Sequence, residues 1–188
     1  MAGSHENLIV YFNGEFVPWE EARVHVFTPA VKYGAGVFEG ICAYMSDQGM
    51  NVFRLQEHLA RLEYSQRVMR FERIISAEEI TQPLIDVVRR NDFKETVHIR
   101  PTVYVDGVGE SSALGPIGVS VTAVSRPRPK IATDGCRVQV SSWQRLSDLS
   151  MPTRVKAHAN YNNSRFAATQ AKADGYNTAL MLNARGHV

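Results

Sequence analysis

The sequence predicts a two-domain chain of the α/β (α+β) class, and three observations carry that prediction. Strand-like runs and runs of helical period alternate along the chain. A stretch of alternating prolines, Arg126-Pro127-Arg128-Pro129, breaks all periodicity. The 188 residues are 44% hydrophobic and 21% charged, a balance that lets a chain of this size bury a proper core. A small α/β domain is expected over 1–126, a linker over 127–134 and a second unit from 135 to 188.

The first element is a hairpin. Leu8 to Phe12 is strand-like, Asn13-Gly14 supplies the two positive φ positions of a type I′ turn, and Glu15-Phe16-Val17 returns. Val24 to Phe27 reads as a further short strand. The glycine-punctuated Tyr33-Gly34-Ala35-Gly36-Val37-Phe38-Glu39-Gly40 reads, by composition alone, as a loop or bulge. Two helices follow. Leu55, Leu59, Leu62, Val68 and Met69 recur near the 3.6-residue period up to about Arg70. The second opens on Ser76 as N-cap with Glu79 at the capping-box position, and Ile80, Leu84 and Val87 make its apolar face. Pro83 inside it invites a kink. Thr96–Val105 and Ile117–Val124 are β-branched strands. Beyond the prolines, which stiffen a segment and deny it sheet pairing, Arg137–Trp143 is a strand. Asn160–Asp174 is a helix stopped by Gly175, Thr178–Leu182 is a strand, and Asn183–Gly186 is a hairpin turn.

Composition narrows the function classes. Twenty-one Lys and Arg against 19 Asp and Glu leave a net charge of +2, with no basic stripe for nucleic acid or an anionic membrane. No apolar run approaches a spanning helix, and the N-terminus lacks a signal-peptide core. Two cysteines, Cys42 and Cys136, make neither a disulfide framework nor a structural zinc site. A cytoplasmic protein without a metal is expected, and residues 1–5 read as a flexible or extraneous start.

Among five lysines, Lys156 has a distinctive setting. It stands in Met151-Pro152-Thr153-Arg154-Val155-Lys156-Ala157-His158-Ala159-Asn160-Tyr161, between a strand and a helix start, with small residues nearby. Desolvation there would favour the free amine, a nucleophile toward carbonyl compounds.

That stretch resembles the lysine motif of branched-chain amino acid aminotransferases, members of the fold-type IV pyridoxal-phosphate enzymes. The resemblance extends over nearly the whole chain. Phe12-Asn13-Gly14-Glu15-Phe16-Val17-Pro18-Trp19, the Tyr33–Ile41 segment, His58-Leu59-x-Arg61-Leu62, Ile99-Arg100-Pro101 and Ser141-Ser142-Trp143 all fall in the family's order. It implies a two-domain fold whose second, sheet-rich pseudo-barrel begins near residue 135. The implied cofactor is pyridoxal 5'-phosphate, with Lys156 as the Schiff-base lysine that also moves the proton between Cα and C4′. Arg61 would grip the phosphate with its planar fork, and Tyr161 would donate to the phenolic oxygen. Tyr33 and Phe38 would line the substrate pocket, His98 would lie in it, and Arg100 would pair with an acidic co-substrate's carboxylate. A homodimer is implied, with Asp106-Gly107-Val108-Gly109 as the segment entering the neighbour's pocket. The reaction expected is amino transfer between an aliphatic L-amino acid and 2-oxoglutarate.

Three departures from the family pattern stand out. Cys42 occupies a position usually held by arginine, and His98 one often held by tyrosine, so a D-amino-acid or (R)-amine transaminase is the alternative donor reading. The Ser-Glu-Gly segment that pairs with the pyridine nitrogen is not among these residues. A C-terminal fragment present as a separate chain, or an omitted remainder, is therefore expected. The other class of reading is a non-catalytic fragment or binding module.

Overall fold

A computed structural model of the chain describes residues 7–127 and 131–188, apart from the side chains of Ile131 and Ala132. The start at residues 1–5 and the linker's centre, 128–130, lie outside the described residues. The chain divides into two units, one ending at Pro127 and the other beginning at Arg128.

The first unit is an antiparallel seven-stranded sheet with helices. Strands β1 (Ile9–Phe12) and β2 (Glu15–Pro18) form the expected hairpin, with Asn13 at φ 48° and Gly14 at φ 103°. The segment Val24–Phe27 is not a strand. Thr28 donates its N–H back to His25 in a turn, then accepts from Val31 N–H as N-cap of helix α1 (Pro29–Tyr33), whose first residue is proline. Proline at N1 gives up a donor that the helix would leave unpaired anyway. Val26 and Phe27 are 65% and 60% exposed, so their apolar character marks no sheet partner.

Gly34 terminates α1 in the left-handed region, and the chain then enters the sheet. Strands β3 (Gly36–Phe38) and β4 (Ile41–Ser46) lie along the same edge of β6 (Val97–Val105) in continuous register, and β5 (Gly49–Val52) pairs back on β4. The segment that composition reads as a loop is thus an interrupted strand. Glu39 N–H donates to Pro101 carbonyl at 3.0 Å, but proline has no N–H to return the bond, so the ladder breaks at this pair. Strand β7 (Ile117–Ser125) pairs along the other edge of β6 and joins it to β1.

Helices α2 (Leu55–Val68) and α3 (Ala77–Arg90) pack on the sheet, α2 against β3 and α3 against β1, β6 and β7. Leu59, Leu62, Ile80, Leu84, Ile41 and Ile99 are fully buried there, each such side chain contributing about 1.5–3 kcal/mol. Gln66, also buried, accepts from Ile75 N–H and donates to the Leu62 and Ile75 carbonyls, clamping the connection between the helices. Both halves of the Ser76/Glu79 capping box are present. Pro83 lies inside α3, which runs through it.

The second unit begins with the short helix α4 (Ile131–Asp134), inside the stretch expected as linker. Strand β8 (Val138–Val140) runs parallel to β9 (Thr178–Leu180), joined through α5 (Tyr161–Ala173) packed on β9. The expected strand to Trp143 stops at Val140 because Trp143 N–H turns back onto Ser141 Oγ. Helix α5 ends as the glycine predicts. Gly175 at φ 81° donates to Lys172 and Tyr176 N–H to Ala171, the paired bonds of a Schellman motif. Asn183 and Gly186 close the expected turn, with Asn183 N–H donating to His187 and Gly186 N–H to Asn183. Substituting Ser76→Ala removes the acceptor for Glu79 N–H and should destabilise the first unit by about 1 kcal/mol, read as a lower midpoint in urea unfolding.

Candidate functional site

In the second unit, the lysine expected to carry chemistry meets the tyrosine five residues on. Lys156 Nζ donates to Tyr161 Oη at 2.6 Å. The pair brings a primary amine and a phenol into proton-exchange distance at the opening of α5, with Tyr161 44% exposed.

The loop that presents Lys156 is braced by polar side chains the sequence reading did not single out. Asn160, 1% exposed, donates from Nδ2 to both the Pro152 and Val155 carbonyls at 3.1 Å. It holds the two ends of the turn leading to Lys156. Asn163 reaches from α5 to the Leu146 N–H, the Arg145 side chain and the Gln144 carbonyl. One Asp148 oxygen accepts from both the backbone N–H and the hydroxyl of Thr153. Those bonds hold the Asp148 carboxyl below its ordinary range. Val155 and Ala157, on either side of the lysine, are buried.

In the first unit, Arg61 projects from α2 and its side chain is 48% exposed, yet it is held from within. Glu39, with 0% exposure, accepts from Arg61 Nε at 2.5 Å and Nη2 at 2.6 Å, while His58 Nδ1 lies 2.9 Å from the same carboxylate. Burial pushes the Glu39 carboxyl up, but the bonds from Arg61 and His58 outweigh it, and the group lies below the usual glutamate range. Strand alternation aims Glu39 away from its neighbour Phe38 and toward α2. The local signal for it was a lone acid between apolar Phe38 and Gly40. A cleft of about 320 Å³ beside it is lined by Phe53, Arg54, Glu57, His58 and Arg61.

Phe38, His98 and Arg100 share the other face of the sheet. Arg100 stacks its guanidinium 4.5 Å from the Phe38 ring centre. His98 lies directly across from Cys42 on one side and Val124 on the other. Its ring covers Gly40, where a β-carbon would come within 2.9 Å of Nε2. Tyr33 stands apart from this group, at the end of α1. Its hydroxyl donates to Glu110 at 2.6 Å, and Lys32 donates to the same carboxylate and to the Gly109 carbonyl. These bonds tether the loop after β6 to α1. The structure thus gathers six of the seven expected site residues into three local groups and leaves Tyr33 outside them: Lys156 with Tyr161, Arg61 held by Glu39 and His58, and Phe38 with His98 and Arg100. Among the described residues, no group of three or more His, Cys, Asp and Glu could hold a metal ion, and no helix is long and apolar enough to cross a membrane.

Comparison with known proteins gives the chain a family context. The family model described as amino-transferase class IV matches residues 36–188. The branched-chain-amino-acid aminotransferase of Escherichia coli (strain K12) is 36% identical over 186 residues, covering 95% of this chain and 60% of that protein. Among solved structures, the branched-chain aminotransferase of Thermoproteus uzoniensis with norvaline superimposes with a TM-score of 0.86 at 38% identity, covering 95% of this chain and 61% of that one. The branched-chain amino acid aminotransferase of Thermobaculum terrenum, in its PLP-form, gives 0.81 at 35% identity, with 97% and 61% covered. The chain therefore spans about three-fifths of the length of the curated relatives it matches. The fold is that of the N-terminal portion of these proteins.

Two predictions test the local geometry. Gly40→Ala should push the His98 ring aside without unfolding the sheet, seen as a displaced His98 imidazole resonance, and His98→Ala should restore the parent stability of Gly40→Ala. Asp148 has a lowered folded-state pKa, so its support for the lysine loop is complete above its ordinary value of 3.8 and fades as pH falls through the lower folded value. Asp148→Asn should therefore flatten the acid side of the stability-against-pH curve measured by thermal unfolding.

Proposed function

This chain belongs to the amino-transferase class IV family, and from that premise we propose that it is the N-terminal part of a pyridoxal 5'-phosphate-dependent aminotransferase. The reaction proposed is amino transfer between an aliphatic, branched-chain L-amino acid and 2-oxoglutarate. One observation carries the reading: the Lys156 amine and Tyr161 phenol are 2.6 Å apart on a loop braced by buried and hydrogen-bonded side chains. Support comes also from the Thermobaculum terrenum relative, whose structure is of the PLP-form.

The residues present fit the proposed cofactor. An aldehyde-bearing, phosphorylated pyridine needs an amine, a donor for its phenolic oxygen and a cation for its phosphate. Lys156, Tyr161 and Arg61 are those three donor types, and the guanidinium of Arg61 is already held in plane by Glu39. Bound, the cofactor supplies an electron sink for the carbanion left when a Cα–H bond breaks. Lys156 Nζ would hold the cofactor, then take and return the proton at the substrate's Cα. Tyr161 Oη, within hydrogen-bond reach of that amine, would keep a donor beside the cofactor's oxygen. Arg61 would anchor the phosphate with its guanidinium. Arg100, stacked on Phe38, would meet the side-chain carboxylate of an acidic co-substrate, and Phe38 and Tyr33 would supply apolar contact for an aliphatic donor.

A homodimer completes the proposal, with Asp106–Gly109 entering the neighbouring pocket. The partners are then an amino acid or amine donor, a 2-oxo acid acceptor, a second copy and the C-terminal remainder of the same protein. A cytoplasmic setting is proposed on the cysteine usage of the sequence. The facing of Cys42 and His98 across β4 and β6 favours one second reading, a D-amino-acid or (R)-amine donor, because both side chains lie on the face that carries Arg100. Spectral titration with L-leucine, D-alanine and (R)-1-phenylethylamine separates the two, and conversion by L-leucine alone is expected.

Borohydride reduction of the cofactor-loaded full-length protein followed by peptide mapping should place the pyridoxyl group on Lys156. Lys156→Ala should lose that label and about 10²–10⁴ in turnover. A label on another lysine, or a protein that stays colourless when saturated with pyridoxal 5'-phosphate, would end the proposal.

A further inference from the structure

An arginine that is half exposed on a helix surface ordinarily samples many rotamers, and fixing one costs free energy whenever it binds. Arg61 differs because Glu39 engages its Nε–Nη2 edge with both carboxylate oxygens, at 2.5 and 2.6 Å. Glu39 is itself immobilised. It has no solvent exposure, its backbone N–H is bound to the Pro101 carbonyl, and Oε2 is shared with His58 Nδ1.

We infer that Glu39 is a positioning residue, with His58 as its second anchor, and that the pair fixes the plane of the Arg61 guanidinium for phosphate binding. The inference rests on the cofactor reading above and deepens it by assigning a role exerted entirely through Arg61. Two physical arguments favour orientation over other roles for the carboxylate. A buried ion pair is a weak source of stability, since well-packed apolar side chains often do as well. A carboxylate next to an anion-binding guanidinium also opposes the anion by charge, so its benefit there must be geometric. Bidentate pairing supplies that benefit, because the planar fork of arginine accepts a carboxylate along one edge in a single orientation.

The test compares dissociation constants for pyridoxal 5'-phosphate and for pyridoxal, which lacks the phosphate, in the full-length protein and in Glu39→Gln, Arg61→Lys and the double variant. Glu39→Gln is expected to weaken the phosphorylated form by about tenfold or more. Binding of pyridoxal should stay within about twofold, and Glu39→Gln should add little once Arg61 is lysine. A purely structural role would instead weaken both ligands alike, and that result, or full additivity in the double variant, overturns the inference. If the unsubstituted protein does not prefer the phosphorylated form, the inference falls together with the cofactor reading. If Arg61→Lys abolishes the preference while Glu39→Gln leaves it intact, the inference falls alone. His58→Gln, which keeps a donor for the carboxylate, is expected to reduce the preference by a smaller factor. Should Glu39→Gln fail to fold, an unchanged preference in His58→Gln overturns the inference.

Discussion

A carboxylate sealed from water sits where β3 gives way to β4, and the arrangement of the first unit's site depends on how its charge is met. Removing a carboxylate from solvent is expensive unless hydrogen-bonding cations replace the lost water. Glu39 receives two bonds from Arg61 and one contact from His58, all from α2. The helix must therefore dock with those two residues facing the sheet. The buried Leu59 and Leu62 on the same helix direct the same docking through apolar burial. Polar and apolar demands agree, which is the condition for a single arrangement.

The interruption at Glu39–Gly40 belongs to the same design. Pro101 denies the ladder its return bond, and Gly40 leaves space for the His98 ring. One short break thus serves both faces of the sheet. Toward α2 it seats the acid that holds Arg61; on the other face it accommodates His98 beside Arg100 and Phe38. Cys42 and His98 form a cross-strand pair there, on the surface that carries Arg100 and Phe38. A change at either position alters the surroundings of the other.

The second unit solves a related problem by different means. Its lysine loop carries little regular structure, so short turn bonds such as Val155 N–H to the Pro152 carbonyl hold it locally and no ladder spans it. Asn160, Asn163 and Asp148 substitute side-chain amides and a carboxylate for the missing ladder. Asn163 uses both ends of its amide, accepting from Arg145 and Leu146 and donating to Gln144, while Asn160 bridges two carbonyls with its amide nitrogen alone. The result is a constrained base beneath the Lys156 amine, which meets the Tyr161 hydroxyl.

Local chemistry was legible in the sequence wherever the decisive interaction lies within a few residues. The Asn13-Gly14 turn, the Ser76/Glu79 box and the Gly175 stop all depend on dihedral preferences and near-neighbour hydrogen bonds, and all three are present. The Lys156 and Tyr161 contact joins residues close together in the chain, and their place in a motif marked them together. What spans many residues was not legible. Val24–Phe27 has strand composition, but no sheet edge reaches it and a capped helix claims the following residues. The Tyr33–Gly40 segment has loop composition, but β6 supplies a partner that only the assembled sheet brings alongside. Glu39 illustrates the division most directly. By itself the sequence determined that an acid stands between apolar neighbours and that an arginine lies 22 residues away. Only the tertiary structure decided that they meet, because the free energy of a buried charge depends on which partners surround it, and a strand and a helix far apart in the chain must pack before those partners exist.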